Sequence, residues 1–137
     1  MHSKFFAAAA LALCCFAAGC GGVTDPSQNT TTPFNGVMNH GDNIKFFPFS
    51  TSKTGEVSAK ITSLTPVSNV IMQILVAQAN GDGGCTGELG LVTPQLAAQL
   101  NVSVFLGQLQ SRRYCFGVLE GTPLTQAETY AGTISHP

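Results

Sequence analysis

From Glu56 to Ile61 the chain alternates polar and apolar at every step, Glu-Val-Ser-Ala-Lys-Ile. A period of two sends successive side chains to opposite faces, so an extended strand buries Val57, Ala59 and Ile61 on one side. The same alternation recurs at Val102, Val104 and Leu106, and again at Tyr114, Phe116 and Val118. Residues 69–78 are β-branched and nearly all apolar, which suits a central strand buried on both faces. Residues 45–49 are aromatic-rich but contain Pro48. Proline cannot donate a ladder hydrogen bond, so this strand is expected at a sheet edge or at a bulge. Residues 129–135 form a last, Thr-rich strand.

Clusters of turn residues separate these runs: His40-Gly41-Asp42-Asn43, Ser52-Lys53-Thr54-Gly55 and Asn80-Gly81-Asp82-Gly83-Gly84. Their glycines supply positive φ where tight turns need it. Residues 94–100 are the one weakly helical stretch, expected as a single turn. The expectation is an all-β, antiparallel β-sandwich of about six to eight strands.

The N-terminus follows a different logic. A short positive segment ends at Lys4, and residues 5–16 are uninterrupted apolar. That is shorter than the roughly 20 residues a membrane-spanning helix needs, and has the proportions of a secretory signal. Ala17-Ala18-Gly19-Cys20 then resembles the lipobox of bacterial lipoproteins, although Ala17 stands where Leu is commonest. The resemblance implies a signal peptide over residues 1–19 and a lipid on Cys20, hence a membrane anchor. Gly21, rather than a retaining Asp, implies the outer membrane of the cell envelope. Ordinary cleavage and release as a secreted protein is the alternative. Residues 20–33 are polar and rich in Thr, Gly and Pro, and read as a flexible tether. The folded domain is expected over residues 34–137.

The chain has five cysteines. Cys14 and Cys15 fall in the removed segment, and the lipobox resemblance assigns Cys20 to the lipid. Cys85 and Cys115 remain, an even pair in an oxidising compartment and expected to form a disulfide.

The order of features in the domain resembles the bacterial pre-peptidase C-terminal domain. The resemblance rests on a Gly41-Asp42 turn before Phe47-Pro48-Phe49 and on Gly55-Glu56-Val57-Ser58-Ala59-Lys60-Ile61 leading to Leu64-Thr65-Pro66. It continues with Arg113-Tyr114-Cys115-Phe116-Gly117-Val118, and with Thr129-Tyr130 opening a final strand that ends at His136-Pro137. It implies a jelly-roll-like sandwich and a non-catalytic accessory module. Some relatives bind collagen or other polymers, some with calcium.

Composition removes several functions. Charged residues are 9% of the chain and the net charge is −1, so no basic surface exists for nucleic acid. Zinc needs more His or Cys ligands than the domain has once its cysteines pair. Asn80-Gly81-Asp82-Gly83-Gly84 supplies only a fragment of a calcium loop. No cofactor is expected. Nucleophilic hydrolysis needs a base beside Ser or Cys, and the candidate bases are His40, in a turn where Asp42 could pair with it, and His136, in a fraying terminus. Arg112-Arg113 reads as a solvated strand start.

The function expected is a non-catalytic exported binding or accessory module with a protein or polysaccharide ligand. A contiguous exposed patch that includes Phe46 or Tyr130 would mark its site. The alternatives are a structural or assembly component of the envelope, pairing through an edge near residues 46–50, and a hydrolase accessory with an unrecognised active site.

Overall fold

The computed structural model describes residues 25–137. The expected signal peptide and Cys20 lie outside the described residues. Eight strands follow a short 3-10 turn at Pro26–Gln28: β1 Thr30–Met38, β2 Lys45–Ser50, β3 Gly55–Thr65, β4 Met72–Gln78, β5 Leu96–Ala98, β6 Ser103–Leu109, β7 Arg113–Glu120 and β8 Glu128–His136. They form two four-stranded antiparallel sheets, ordered β1-β8-β3-β6 and β2-β7-β4-β5. The pairings β1–β8, β2–β7, β3–β6 and β4–β5 are nested. One long antiparallel ribbon, with its tip at β4–β5, has rolled up until β8 meets β3 and β7 meets β4. This is jelly-roll topology.

The alternating apolar residues of both sheets meet between the layers. Val57, Ile61, Ile74, Phe116, Tyr130 and Ile134 are all essentially inaccessible there. Phe34 sits 4.7 Å from Phe116, ring centre to ring centre, and ties β1 to the opposite sheet. Tyr114, the second residue of β7, donates its hydroxyl to the Gln110 carbonyl at 3.0 Å, pinning the turn before the strand.

The second sheet is covered on its outer face too. Leu75, Ala77 and Cys115 point away from the main core and are buried beneath Cys85, Leu89 and Phe46. The chain between β4 and β5 folds back over this face, and its return runs along the free edge of β4. Gln78 N–H donates to Gly90 O at 2.8 Å, Val92 N–H to Val76 O at 2.8 Å, and Val76 N–H to Thr93 Oγ1 at 2.8 Å. The Cys85–Cys115 disulfide clamps the excursion, with Cα atoms 5.6 Å apart.

Pro48 lies in the edge strand β2, opposite Cys115. Val76 turns its N–H and C=O away from β7, so its partner Phe116 must turn toward β2 and Phe47. Pro48, the next residue along, therefore faces outward, where a missing donor leaves no gap in the ladder.

Three expectations need correction. Residues 94–100 do not make a helical turn: Leu96 pairs with Ile74 and Ala98 with Met72 in β5. A helix this short cannot offset its nucleation, whereas the open edge of β4 offers ready hydrogen bonds. β1 begins at Thr30, inside the segment expected as a tether, and Asn29 Nδ2 donates to Glu56 O at 2.9 Å just before it. Threonine runs lack apolar alternation but suit an edge strand once β8 supplies a partner. His136 does not fray. Its Nε2 lies 2.8 Å from Thr32 Oγ1 on β1, its ring packs on Phe49 at 5.4 Å, and the residue is buried.

Candidate ligand cleft between β1 and β2

At one end of the sandwich the edge strands β1 and β2 face each other across the gap between the sheets. Tyr130 on β8 pairs in register with Gly36 on β1. Because Gly36 has no side chain, the Tyr130 ring lies across it toward the open edge; a Cβ at Gly36 would stand 2.6 Å from the hydroxyl oxygen. Phe34 and Phe47 hold the ring, each with centroids 6.3 Å from it, and Phe47 meets it edge-on at 89°.

The hydroxyl so placed is buried and has no hydrogen-bond partner among the described residues. Burial pushes the phenol up to about 12, and the negative charge of Asp42 adds to the effect. At neutral pH the group is therefore a proton donor. Beside it opens a cavity of about 410 Å³, to which β1 contributes Asn35, Gly36 and Val37 and β2 contributes Phe46 and Phe47. Ile44, Lys45 and Cys85 complete the lining. Lys45 Nζ is held 3.3 Å from Asp42 Oδ2. Asp42 also accepts Asn39 N–H at 3.0 Å, and the hydrogen bonds from Asn39 hold its carboxyl below the usual carboxylate range.

The exposed patch expected to include Phe46 or Tyr130 takes another form. Tyr130 is fully buried, and both residues instead line this cleft. Phe46 and Tyr130 were legible in the sequence as site residues, but the cleft depends on the Gly36–Tyr130 pairing, which exists only once β1 and β8 are in register.

His40 does not pair with Asp42. Its Nδ1 lies 3.1 Å from Glu120 Oε2, on an exposed turn. Glu120 also accepts Gly41 N–H at 3.0 Å and Leu124 N–H at 3.2 Å; these backbone donors, with His40 as a lesser cause, hold its carboxyl below the ordinary glutamate range. Neither histidine reaches the cleft. Among the described residues no three His, Cys, Asp or Glu side chains gather as metal ligands, and no helix is long and apolar enough to cross a membrane.

Glu128, which no local pattern marks, is buried and accepts Val67 N–H through both carboxylate oxygens, at 3.1 and 3.2 Å. It anchors the loop after β3.

No family model matches this chain, and no curated protein matches its sequence.

Proposed function

We propose that this chain is a non-catalytic binding module of the cell envelope, a jelly-roll domain carried on a lipid at Cys20. The observation that supports binding is a cavity of about 410 Å³ with mixed polar and apolar walls, one of them Tyr130, whose buried hydroxyl has no partner among the described residues. A buried polar group left without a partner costs about 1–3 kcal/mol, so a ligand that offers it an acceptor recovers that loss on binding. The fitting ligand has an apolar body for Phe46, Phe47 and Val37 and an uncharged oxygen for Tyr130.

The anchor rests on the N-terminal pattern ending at Cys20, with the outer membrane as destination. The accessory role is the one implied by the resemblance to pre-peptidase C-terminal domains, whose expected architecture is also a jelly roll. Assembly by strand addition at β2 is the weaker reading, because Pro48 interrupts the outward row of donors on that edge.

Two measurements test the proposal. The intact mass of the protein from its native host should match a chain that starts at Cys20, carries a diacylglycerol-type adduct and lacks two hydrogens. An unmodified mass overturns the anchor. Binding can be read by intrinsic fluorescence, because the chain has no Trp and only two Tyr. Short alkyl glycosides below their micelle concentration, with an apolar tail and ether oxygens, should change the emission saturably in the wild type and bind at least tenfold more weakly to Tyr130→Phe, followed there by calorimetry. Equal binding by the two proteins overturns the cleft as the site.

A further inference from the structure

A second cavity, of about 280 Å³, lies where β4 ends and β7 begins. Its walls are Gln78, Asn80, Gly81 and Asp82 on one side and Arg112 and Arg113 on the other. These are the only two arginines in the sequence. Neither forms an ion pair among the described residues, whose ion pairs are His40–Glu120 and Lys45–Asp42. In a chain with so little charge, both guanidinium groups line one concavity with their charge unspent.

The arginines are held in place. Gln78 Oε1 accepts from Arg112 Nη1 at 3.0 Å. Arg113 lies across Gly83, whose φ of +81° suits glycine and whose missing side chain makes room for the guanidinium. The turn opposite is braced from within: Gly83 N–H donates to Asn80 O at 2.8 Å, Gly84 N–H to Asp82 Oδ1 at 2.8 Å, and Asn80 Nδ2 to Thr86 O at 2.6 Å. The Cys85–Cys115 disulfide fixes its end to β7. Arg113 and Gly83 also wall a third cavity, of about 210 Å³, that continues past Pro48, Phe49 and Ser50. The two hollows adjoin at Gly83 and Arg113, which wall both and make them the two halves of a groove.

We propose that this groove binds a sugar acid, a pyranose unit bearing a carboxylate within an acidic polysaccharide. Planar guanidinium groups match a carboxylate in geometry as well as charge. The amides of Gln78 and Asn80 suit ring hydroxyls as acceptors and donors, and the Asp82 carboxylate as an acceptor only. The adjoining hollow at Ser50 takes the next unit. One local arginine pair on a molecule of net charge −1 suits sparse carboxylates better than the dense phosphates of nucleic acid. An extended acidic peptide would be expected to pair with the β2 edge, where Pro48 faces outward without a donor.

Calorimetric titration of the full processed protein with a trigalacturonate oligomer, and with the neutral trigalactoside of equal length, tests the proposal. Saturable binding of the acid is expected, at least tenfold weaker for the neutral sugar and weakened by added salt. Arg112→Gln and Arg113→Gln should each lower affinity about 10- to 100-fold while melting like the wild type, since both side chains are exposed. Tyr130→Phe should bind the acid as the wild type does, which separates this site from the β1/β2 cleft. Equal binding of acid and neutral sugar, unchanged binding by both arginine variants, or no saturable binding overturns the proposal. Oligoglutamate binding as tightly as the uronate also overturns it, in favour of an acidic peptide.

Discussion

Tyr130 and Gly36 face each other across β8 and β1, and the tyrosine ring occupies the space that any side chain at position 36 would need. An aromatic ring laid over a cross-strand glycine fills the gap in an edge strand and here also places a buried hydroxyl in the wall of the β1/β2 cleft. Gly36→Ala must therefore displace the ring. The expected loss is about 1–3 kcal/mol in urea denaturation, the usual range for an overpacked core. Unchanged stability would show that the ring swings aside freely and does not define the cleft.

Removing the hydroxyl alone should act the other way. Tyr130→Phe deletes a buried group without a partner among the described residues, so stability is expected to stay level or rise by up to about 3 kcal/mol. The two proteins should then diverge in alkali. Below pH 10 the phenol is protonated in both folded and unfolded chains. Between its ordinary value of 10.0 and the folded value of about 12, the unfolded chain ionises and the folded one does not. Wild-type stability should thus fall by about 2–3 kcal/mol relative to Tyr130→Phe as pH rises through that window. Parallel denaturation curves across it would contradict the burial of the hydroxyl.

The disulfide closes a loop with a sequence separation of 30 and holds the excursion over Leu75 and Ala77. Reduction, or the paired change Cys85→Ser with Cys115→Ser, should cost about 3–4 kcal/mol by loop entropy alone. Hydrogen exchange should show the added opening concentrated at the amides of Gln78 and Val92, whose hydrogen bonds to Gly90 O and Val76 O depend on the clamp. Uniform loss of protection across both sheets would assign the clamp to the main core instead.

Acid should loosen one turn before the rest. Glu120 is held ionised by Gly41 N–H, Leu124 N–H and His40, so its folded pKa lies below the ordinary 4.5. A depressed carboxylate contributes stability above its unfolded pKa and loses it as pH falls through the folded value. The amide resonance of Gly41 should therefore shift on acidification with a midpoint below 4.5. In Glu120→Gln that titration should vanish. A midpoint at or above 4.5 would contradict the backbone hydrogen bonds to its carboxylate.

Periodicity made the strands legible. Val57, Ala59 and Ile61, and Tyr114, Phe116 and Val118, face the core as their alternation requires, and Pro48 sits on an edge because it has no donor. The reach of β1 back to Thr30 and the conversion of residues 96–98 into β5 were hidden, because each depends on a hydrogen-bonding partner distant in sequence. His136 shows the same effect: a penultimate residue looks free until Thr32 and Phe49 close on it.

By itself the sequence determined the strand class, the restriction of the Pro48 strand to an edge or a bulge, and the availability of Cys85 and Cys115 for each other, since local pattern and residue chemistry suffice for these. Only the tertiary structure decided that β8 would lay Tyr130 over Gly36, that the loop before β5 would bury the outer face of β4, and that Arg112 and Arg113 would meet the Asn80–Gly84 turn across a cavity. Those arrangements follow from how the ribbon rolls and which registers its strands adopt, and a register is a relation between segments that no single segment contains.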